Sequence, residues 1–432
     1  MIPYIVGHPI KNRADFYGRS LAIRRFYEVI AGQQAQSLSV VGARRAGKTS
    51  FLLHVAHPEM MQQHLAEPEQ TVMVYLDMSF CKTPAEFYGR LAQRLQQALS
   101  GSTSRQKMKM RAANAHVAED LLYEFGNRRV VLLLDEFDQL RVGNFTEDFL
   151  TELRALIGNW DYDMACVTAS YWSLYQLGSH IGLPPTSPFY NIFYPSPIYI
   201  AGLEAGERCR LICQPAQRAG LALASEDVVA IEELAGTLPF FVQATAAAWF
   251  RDKEAGMLPD FAEQLEQLTR QLSPYFAQWW RVMDEAERAV LQKAVAGGAS
   301  GMSSRLLVQA RQRLLRYGLL TGREGETAVN GVIFAQWIAE HAADADTPTS
   351  SVTNGVTQSY NLKTLRQTLV QHFSLEELHL LSFDLGMDFD QFPGKTKGAK
   401  ARDLLVHSER RGQLADLVAA IRFERGQDAV AD

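Results

Sequence analysis

A glycine-bounded turn that ends in a lysine and a threonine is the part of this sequence best suited to chemistry. It reads GARRAGKTS and directly follows the apolar run LSVV. Its two glycines would let backbone N–H groups curl around a phosphate at the start of the next helix. Lys48 would reach the β and γ phosphates of a nucleotide, and Thr49 would offer a hydroxyl to Mg²⁺. The predicted phosphate contacts are Gly42, Ala43, Arg44, Arg45, Ala46, Gly47, Lys48, Thr49 and Ser50.

A second apolar run, Val130 to Leu134, ends in carboxylates. Asp135 and Glu136 follow it directly. Asp135 can hold Mg²⁺ directly or through water, and Glu136 can polarise the water that attacks the γ phosphate. Both motifs follow strand-like runs, which favours two halves of one site over a chance match in a loop and a solvated helix start. Binding needs only the turn, whereas hydrolysis also needs a well-placed base and commonly an arginine from elsewhere.

Strand-like and helix-like segments alternate through residues 1–201, which predicts an α/β domain with a parallel sheet covered by helices on both faces. Helices such as Pro84–Leu99 and Thr146–Ile157 are predicted between the strands. In such a sheet, ligands bind at the carboxyl ends of the strands, where both motifs lie. The predicted strands are Leu38–Val41, Thr71–Asp77, Val130–Asp135, Met164–Ser170 and Pro197–Ile200.

The pattern becomes helical after the sheet domain. Residues 202–272 are predicted to form a helical lid, in which Pro239 begins one helix. Residues 273–342 read helix, helix, hairpin, helix, which is the order of a winged helix.

Arginines on the second helix of the winged-helix region could face a nucleic-acid backbone. They are Arg305, Arg311, Arg313 and Arg316. The alternative is a solvated helix face that pairs with acids elsewhere in the protein. Glu324 and Glu326 would place negative charge in the wing, beside the phosphates, which favours the alternative. Nucleic acid is therefore not the expected partner.

The C-terminal part reads as a separate module. Residues 343–359 are rich in Thr, Ser and Ala and low in large apolar residues, so a flexible linker is expected there. Residues 360–426 contain four amphipathic segments, and Ser374 with Glu377 forms a capping-box pattern at the second. These features predict a small all-helical bundle.

Bulk composition indicates a cytoplasmic protein of several domains. The chain has 432 residues, of which 47% are apolar, and a net charge of −5, which gives no overall attraction for nucleic acid or anionic lipid. Its four cysteines lack C-x-x-C spacing, which favours buried thiols in a reducing compartment. The opening MIPYIVGHPI lacks a basic n-region, and no apolar run approaches the length of a membrane span.

Taken in order, these motifs resemble those of STAND-class AAA+ ATPases, the signal-transduction branch of P-loop proteins. The resemblance rests on PYIVGHPI followed by FYGR, on GARRAGKTS and LLLDEFD as Walker A and Walker B motifs, on MACVTAS, and on GLEAGE and GTLPFF. It spans the sheet, lid and winged-helix regions. It implies an ATPase that uses ATP or ADP with Mg²⁺.

The resemblance also implies roles for particular residues. Val6, Gly7 and Arg19 would neighbour the nucleotide, and Pro239 would touch adenine. Ser170 or Thr168 would act as the polar sensor near the γ phosphate. The catalytic candidates are then Glu136, Lys48 and Ser170, and the Mg²⁺ candidates are Thr49 and Asp135.

Residues 360–426 are similar to the effector-associated, death-like adaptor domains of bacterial conflict systems, which pair with a matching copy on an effector. The leading hypothesis is therefore an ATP-dependent switch of bacterial defence or regulated cell death. It would recruit an effector such as a protease or nuclease, and would form a homo-oligomer on activation. Two alternatives stay open: a DNA-binding ATPase that resembles origin-recognition initiators, and a nucleotide-locked scaffold without turnover.

Overall fold

The structure, a computed structural model, describes residues 2–100, 114–296, 304–323 and 326–345. Toward the C-terminus it describes residues 396–410 and single positions or short runs between 365 and 417. These residues belong to two compact units, Met1–Pro348 and Thr349–Asp432.

Strands and helices alternate up to residue 200, and helices predominate after it. The strands are β1 (Leu38–Val41), β2 (Thr71–Asp77), β3 (Arg129–Asp135), β4 (Met164–Ser170), β5 (Ile198–Tyr199), β6 (Leu320–Arg323) and β7 (Glu326–Val329). The helices of the first unit are α1 (Ser20–Ile30), α2 (Lys48–Val55), α3 (Pro58–His64), α4 (Pro84–Ser100), α5 (Ala115–Tyr123), α6 (Glu147–Ile157), α7 (Leu174–His180), α8 (Ala205–Arg218), α9 (Ser225–Ala235), α10 (Pro239–Glu254), α11 (Phe261–Val282), α12 (Glu285–Val295), α13 (Arg305–Tyr317) and α14 (Val332–Ala345). The second unit contains α15 (Lys397–Arg410).

Strands β1 to β5 form one parallel sheet in the order β2-β3-β4-β1-β5. Every residue of β1 and β4 is buried, as is every residue of β3 after the first. Such complete burial is expected of parallel strands that helices cover on both faces. The predicted α/β fold class is confirmed, and β1, β2 and β4 have the predicted bounds. Strand β3 starts one residue earlier, and β5 is one residue shorter at each end.

The strand order brings three chain segments to one edge of the sheet. Val41, the last residue of β1, lies opposite Ser170 of β4 and Tyr199 of β5. Strand β3, which ends at Asp135, pairs with β4 on its other side. The turn after β1, the acids after β3 and the segment after β4 therefore emerge side by side.

Helices α8 to α10 occupy the region predicted as a lid, and the predicted order of helix, helix, hairpin and helix is present in α12, α13, β6-β7 and α14. Helix α11 runs without a break across the boundary predicted at residues 272 and 273, because its buried stripe continues from Leu272 to Phe276 and Trp279. The Phe276 and Trp279 rings pack against Phe334 of α14 at 4.9 and 5.2 Å. No helix in the described ranges is both long and apolar enough to cross a membrane.

Two of the four arginines considered on α13 have protein partners in the described structure. Arg313 donates from Nε to Glu287 at 2.9 Å and from Nη2 to Asp284 at 2.5 Å. The Arg316 guanidinium lies 5.5 Å from the centre of the Tyr199 ring. The ion pairs of Arg313 are those expected of a helix face that pairs with acids elsewhere in the protein, and Arg316 lies against an aromatic ring.

In the second unit, the described residues have a buried apolar set: Leu365, Leu369, Phe373, Leu378, Ala401, Leu404, Leu405 and Leu417. Ser374 and Glu377 of the predicted capping box, Glu324, and residues 346–359 of the predicted linker lie outside the described residues. Helix α14 continues to Ala345, so the first residues assigned to the linker are helical. These first residues include two alanines, and alanine favours helix, so an alanine-rich composition does not mark the end of α14.

Gly42→Ala is expected to lower the free energy of unfolding by about 1–3 kcal/mol, because inserted atoms in a packed site force backbone shifts. An added Cβ would lie 2.5 Å from the carbonyl oxygen of Ile200, where the chain leaves β5. Urea-induced unfolding of the full chain measures the change. The control is Gly206→Ala in α8, where the nearest atom to the new Cβ is 3.9 Å away. Equal losses in the two variants would contradict this reading of the turn.

Candidate nucleotide-binding cleft

A cleft of about 430 Å³ opens where the carboxyl edge of the sheet meets the helical region. The N-terminal segment, the turn after β1 and helices α8, α10 and α11 border it. The predicted site residues that line it are Gly7, Arg19, Arg44, Arg45, Ala46, Gly47, Lys48, Thr49, Ser50, Glu136 and Pro239. The predicted residues that do not line it are Val6, Gly42, Ala43, Asp135 and Ser170.

The turn after β1, residues 42–47, has the backbone of a phosphate cradle. Arg45 and Gly47 have φ angles of 67° and 99°, so the chain reverses through the left-handed region just before α2 begins at Lys48. Position 42 needs a glycine because any Cβ there would lie 2.5 Å from the carbonyl oxygen of Ile200, the residue that follows β5. Lys48, Thr49 and Ser50, the first residues of α2, line the cleft, and the N–H groups of the first turn of a helix favour an anion.

Lys48 is 7% exposed, and its ammonium group is held by the turn itself. Its Nζ donates to the carbonyl oxygens of Gly42 at 3.0 Å and Ala43 at 3.2 Å. Both acceptors are neutral, and the ammonium group forms no ion pair with a described acid, although Glu136 lines the same cleft. A phosphate oxygen would give it a charged partner.

Positive charge is concentrated on one wall of the cleft. Among the described residues that line it, the cations are Arg19, Arg44, Arg45 and Lys48 and the acids are Asp15 and Glu136. Asp15 already pairs with Arg218 at 2.8 Å. Excess charge in a partly enclosed site attracts an anion more strongly than the same charge on an open surface. The cleft therefore suits a polyphosphate.

Arg19 and Arg45 tie the turn to its surroundings. Arg19 donates to the carbonyl oxygens of Ala46 at 2.9 Å and Gly202 at 3.1 Å, so it joins the turn to the entry of α8. Burial lowers the pKa of its guanidinium to about 10, which leaves it charged at neutral pH. Arg45 donates to the Gly7 carbonyl oxygen at 3.1 Å, and its guanidinium lies about 5 Å from the ring centres of Phe240 and Tyr275.

The N-terminal strap, residues 4–10, crosses the mouth of the cleft. The Tyr4 hydroxyl donates to the Ile212 carbonyl oxygen of α8 at 2.6 Å, and the Ile5 amide donates to Gln243 of α10 at 3.0 Å. At the other end, the Ile10 amide donates to the Ser50 hydroxyl of α2 at 3.0 Å. The strap thus spans from the lid to the phosphate turn. Val6 lies in it, between the cleft-lining residues Ile5 and Gly7.

The acids at the end of β3 differ in their surroundings. Asp135 is 1% exposed, and its two carboxylate oxygens accept from the Tyr75 hydroxyl at 2.8 Å and the Glu136 amide at 3.0 Å. Glu136 has a left-handed backbone with φ 50°, which turns its side chain into the cleft. Burial raises the pKa of the Glu136 carboxyl, while the charges of Lys48 and Arg44 oppose that rise.

The end of β4 does not present its hydroxyls to the cleft. The Ser170 hydroxyl donates to the Trp172 carbonyl oxygen at 2.6 Å. Thr168 is fully buried, and its hydroxyl oxygen has no hydrogen-bond partner within the described structure. Asp138 accepts from the Tyr171 amide at 2.6 Å, and so joins the segment after β3 to the segment after β4.

Several cleft residues escape sequence reasoning. Phe240 stands within the GTLPFF motif, which by itself assigns it no role, and no local sequence pattern marks Gln278 as a cleft residue. Trp279 does not line the cleft, yet its Nε1 donates to the Arg44 carbonyl oxygen at 3.1 Å, across 235 positions of sequence. A buried indole N–H usually finds a partner, but sequence does not say which.

The donor set fits a nucleotide with Mg²⁺. The turn supplies backbone N–H groups and cations, and Thr49 supplies a hydroxyl in the cleft that Glu136 also lines. Both Asp135 oxygens already accept hydrogen bonds, so this carboxylate suits Mg²⁺ held through water, an ion that retains several of its waters in proteins.

Comparison with known families identifies two regions of the chain. A family model described as Novel STAND NTPase 2 matches residues 26–301, well over half of the chain. One described as Effector-associated domain 7 matches residues 365–426. Among curated proteins, none matches significantly.

Similarity to solved structures concerns the fold. The Walker-type ATPase paby2304 of Pyrococcus abyssi aligns with 13% identity over 78% of this chain and 100% of that chain, with a TM-score of 0.54. The Aeropyrum pernix ORC2 protein, in ADPNP-ADP complexes, aligns with 13% identity over 78% and 97% and a TM-score of 0.44. The Thermotoga maritima RuvB branch migration motor aligns with 12% identity over 76% and 97% and a TM-score of 0.40. The first supports a shared P-loop ATPase fold, and the two lower scores support no further conclusion.

Glu136→Gln is expected to raise the free energy of unfolding at pH 7 and to leave it unchanged near pH 3. Because burial raises the pKa of this carboxyl above its usual 4.5, ionised Glu136 destabilises the folded state at higher pH. Near pH 3 the carboxyl is protonated in both the folded and the unfolded state, and the penalty disappears. Urea-induced unfolding across this pH range measures the free energy of unfolding, and the same substitution at the exposed Glu226 is the control. A gain that persists at pH 3 would refute the assignment.

Proposed function

The chain belongs to the Novel STAND NTPase 2 family, and from this membership and the geometry of the cleft we propose that it is an ATP-dependent switch that recruits an effector. The family matches confirm the resemblance drawn from the motifs, including the effector-associated module. The observation that carries the proposal is a cleft in which a cationic phosphate turn faces a helical lid. ATP or ADP is the ligand of this cleft, and hydrolysis of ATP is its reaction.

Each part of the cleft has a task in this proposal. Lys48 leaves the turn carbonyls for the β and γ phosphates, and the N–H groups of the turn hold the remaining oxygens. Thr49 binds Mg²⁺ with its hydroxyl, and Asp135 holds it through water. Glu136 orients and polarises the attacking water. Pro239 lies beside Gly47, and with the strap it encloses the base.

A change at the phosphates has a physical route to the helical region. Trp279 connects the Arg44 carbonyl to α11, and Arg45 connects the strap to the rings of α10 and α11. Asn330 accepts from the Thr237 amide at 3.0 Å and donates to its hydroxyl at 2.9 Å, which joins the start of α10 to the end of the hairpin. Exchange or hydrolysis of nucleotide therefore moves sheet, lid and winged-helix region relative to one another.

The output of the switch lies in residues 360–426. We infer that this death-like helical module pairs with a matching module on an effector such as a protease or nuclease, in the cytoplasm and in bacterial defence or regulated cell death. The match to Effector-associated domain 7 supports an effector as partner. Homo-oligomerisation on activation would bring several modules together and raise their effective concentration for the effector.

The DNA-binding alternative has less support. Ion pairs with Glu287 and Asp284 use the guanidinium of Arg313, and Arg316 rests on Tyr199. Contacts to a phosphate backbone would have to break these interactions first. The scaffold alternative differs from the switch in turnover, so phosphate release separates the two.

Lys48→Ala is expected to weaken ATP binding by about 100-fold, because a charge-assisted contact to the phosphates is lost. Titration calorimetry of the full chain with Mg²⁺·ATP measures this affinity. Lys293→Ala in α12, outside the cleft, is the matched control and should bind as the native chain does. Undiminished binding by Lys48→Ala would remove the proposed site. Multiple-turnover phosphate release that Glu136→Gln abolishes, with binding retained, excludes the scaffold alternative.

A protein encoded beside this one and carrying a helical module similar to residues 360–426 is expected to bind the full chain. It should not bind a chain truncated after residue 359, because the proposed contact lies in the module. Co-purification of the two pure proteins measures the interaction, first with the native chain and then with Glu136→Gln loaded with either ATP or ADP. Equal binding to the truncated chain would contradict recruitment through the module. Equal binding with ATP and ADP would contradict control by nucleotide.

A further inference from the structure

The two walls of the cleft differ in charge. The sheet side carries the four cations of the cleft within the described chain. The lid side contributes uncharged residues there: Leu203, Leu211, Pro239, Phe240, Gln243 and Gln278. A γ phosphate adds charge to the ligand that ADP lacks, and the lid residues that line the cleft supply no cation for it. The charge that distinguishes ATP from ADP must come from the sheet side or from another molecule.

Three of the four cations donate hydrogen bonds to the turn or to its neighbours. Lys48 donates to two turn carbonyls, and Arg19 joins Ala46 to Gly202. Arg45 is held by the Gly7 carbonyl and by two aromatic rings. Within the described residues, the Arg44 guanidinium has no hydrogen-bond or ion-pair partner, and its side chain is exposed to the cleft.

Arg44 shares the cleft with Glu136, the acid that follows β3. Its positive charge opposes the rise that burial causes in the pKa of Glu136 and of Asp138. The backbone of Arg44 is fixed by the bond from Trp279 to its carbonyl oxygen. The Arg44 side chain, on a backbone that is held in place, therefore lines the same cleft as the residue proposed to polarise water.

We propose that Arg44 reads the γ phosphate from within its own chain and so makes the cleft prefer ATP over ADP. The inference rests on the proposed nucleotide site. A guanidinium suits this role because it stays charged and can bind two phosphate oxygens at once. Charge placed where negative charge accumulates also stabilises phosphoryl transfer. Discrimination of ATP by one chain then needs no arginine from a neighbouring subunit.

The adjacent arginine provides a matched comparison. Arg44 and Arg45 share one turn, but Arg45 points to the strap and the rings of α10 and α11. Loss of Arg45 removes contacts between parts of the protein, and should weaken ATP and ADP binding alike. Loss of Arg44 should weaken the binding of only the ligand that carries a γ phosphate.

The test measures affinities of the full chain for Mg²⁺·ATPγS and Mg²⁺·ADP by titration calorimetry. Arg44→Gln is expected to weaken ATPγS binding by about 10- to 100-fold, as for loss of one charge-assisted contact, and to leave ADP binding within about threefold. Arg44→Lys should recover part of the loss, because it restores the charge without the paired donors. Arg45→Gln should keep the ratio of the two affinities at its native value.

Equal loss of ATPγS and ADP affinity in Arg44→Gln overturns the inference and leaves the nucleotide site standing. Failure of the native chain to bind either nucleotide overturns both.

Discussion

Accumulation of positive charge in one partly enclosed cleft is the constraint on which the rest of this structure depends. Lys48, Arg19, Arg44 and Arg45 converge on the start of α2, whose free N–H groups add positive potential of their own. Among the described residues that line the cleft, Glu136 is the one acid without an ion-pair partner. Such a site gains most from an anion with several charged oxygens, and phosphates meet this need.

The connections that hold the turn also link it to distant parts of the chain. Trp279 of α11 donates to the carbonyl oxygen of Arg44 in the turn, and Arg45 of the turn donates to Gly7 in the strap. Helix α11 in turn packs against α14 through Phe276 and Phe334. A local electrostatic change therefore acts on packed elements, which tend to shift as units because packed interiors deform little.

Local sequence specified most of the sheet. Continuous apolar runs such as those of β3 and β4 occur where both faces of a strand are buried, so their lengths predicted their bounds closely. The bounds of the short β5 and of the unbroken α11 are harder to predict from sequence. A strand that pairs over two residues and a helix that continues across Pro274 depend on contacts with neighbouring elements rather than on local propensity. The lid boundary placed inside α11 shows the same limit.

The sequence by itself determined the chemistry of the cleft, since glycine spacing, Lys48 and the acids after β3 are local features with a direct physical meaning. Tertiary structure decided which residues share that cleft and which do not. Ser170 follows the right strand, yet its hydroxyl turns to the Trp172 carbonyl, while Trp279 arrives from 235 positions away. Side-chain direction and long-range contact follow from packing of the whole unit, and no local pattern of residues encodes them.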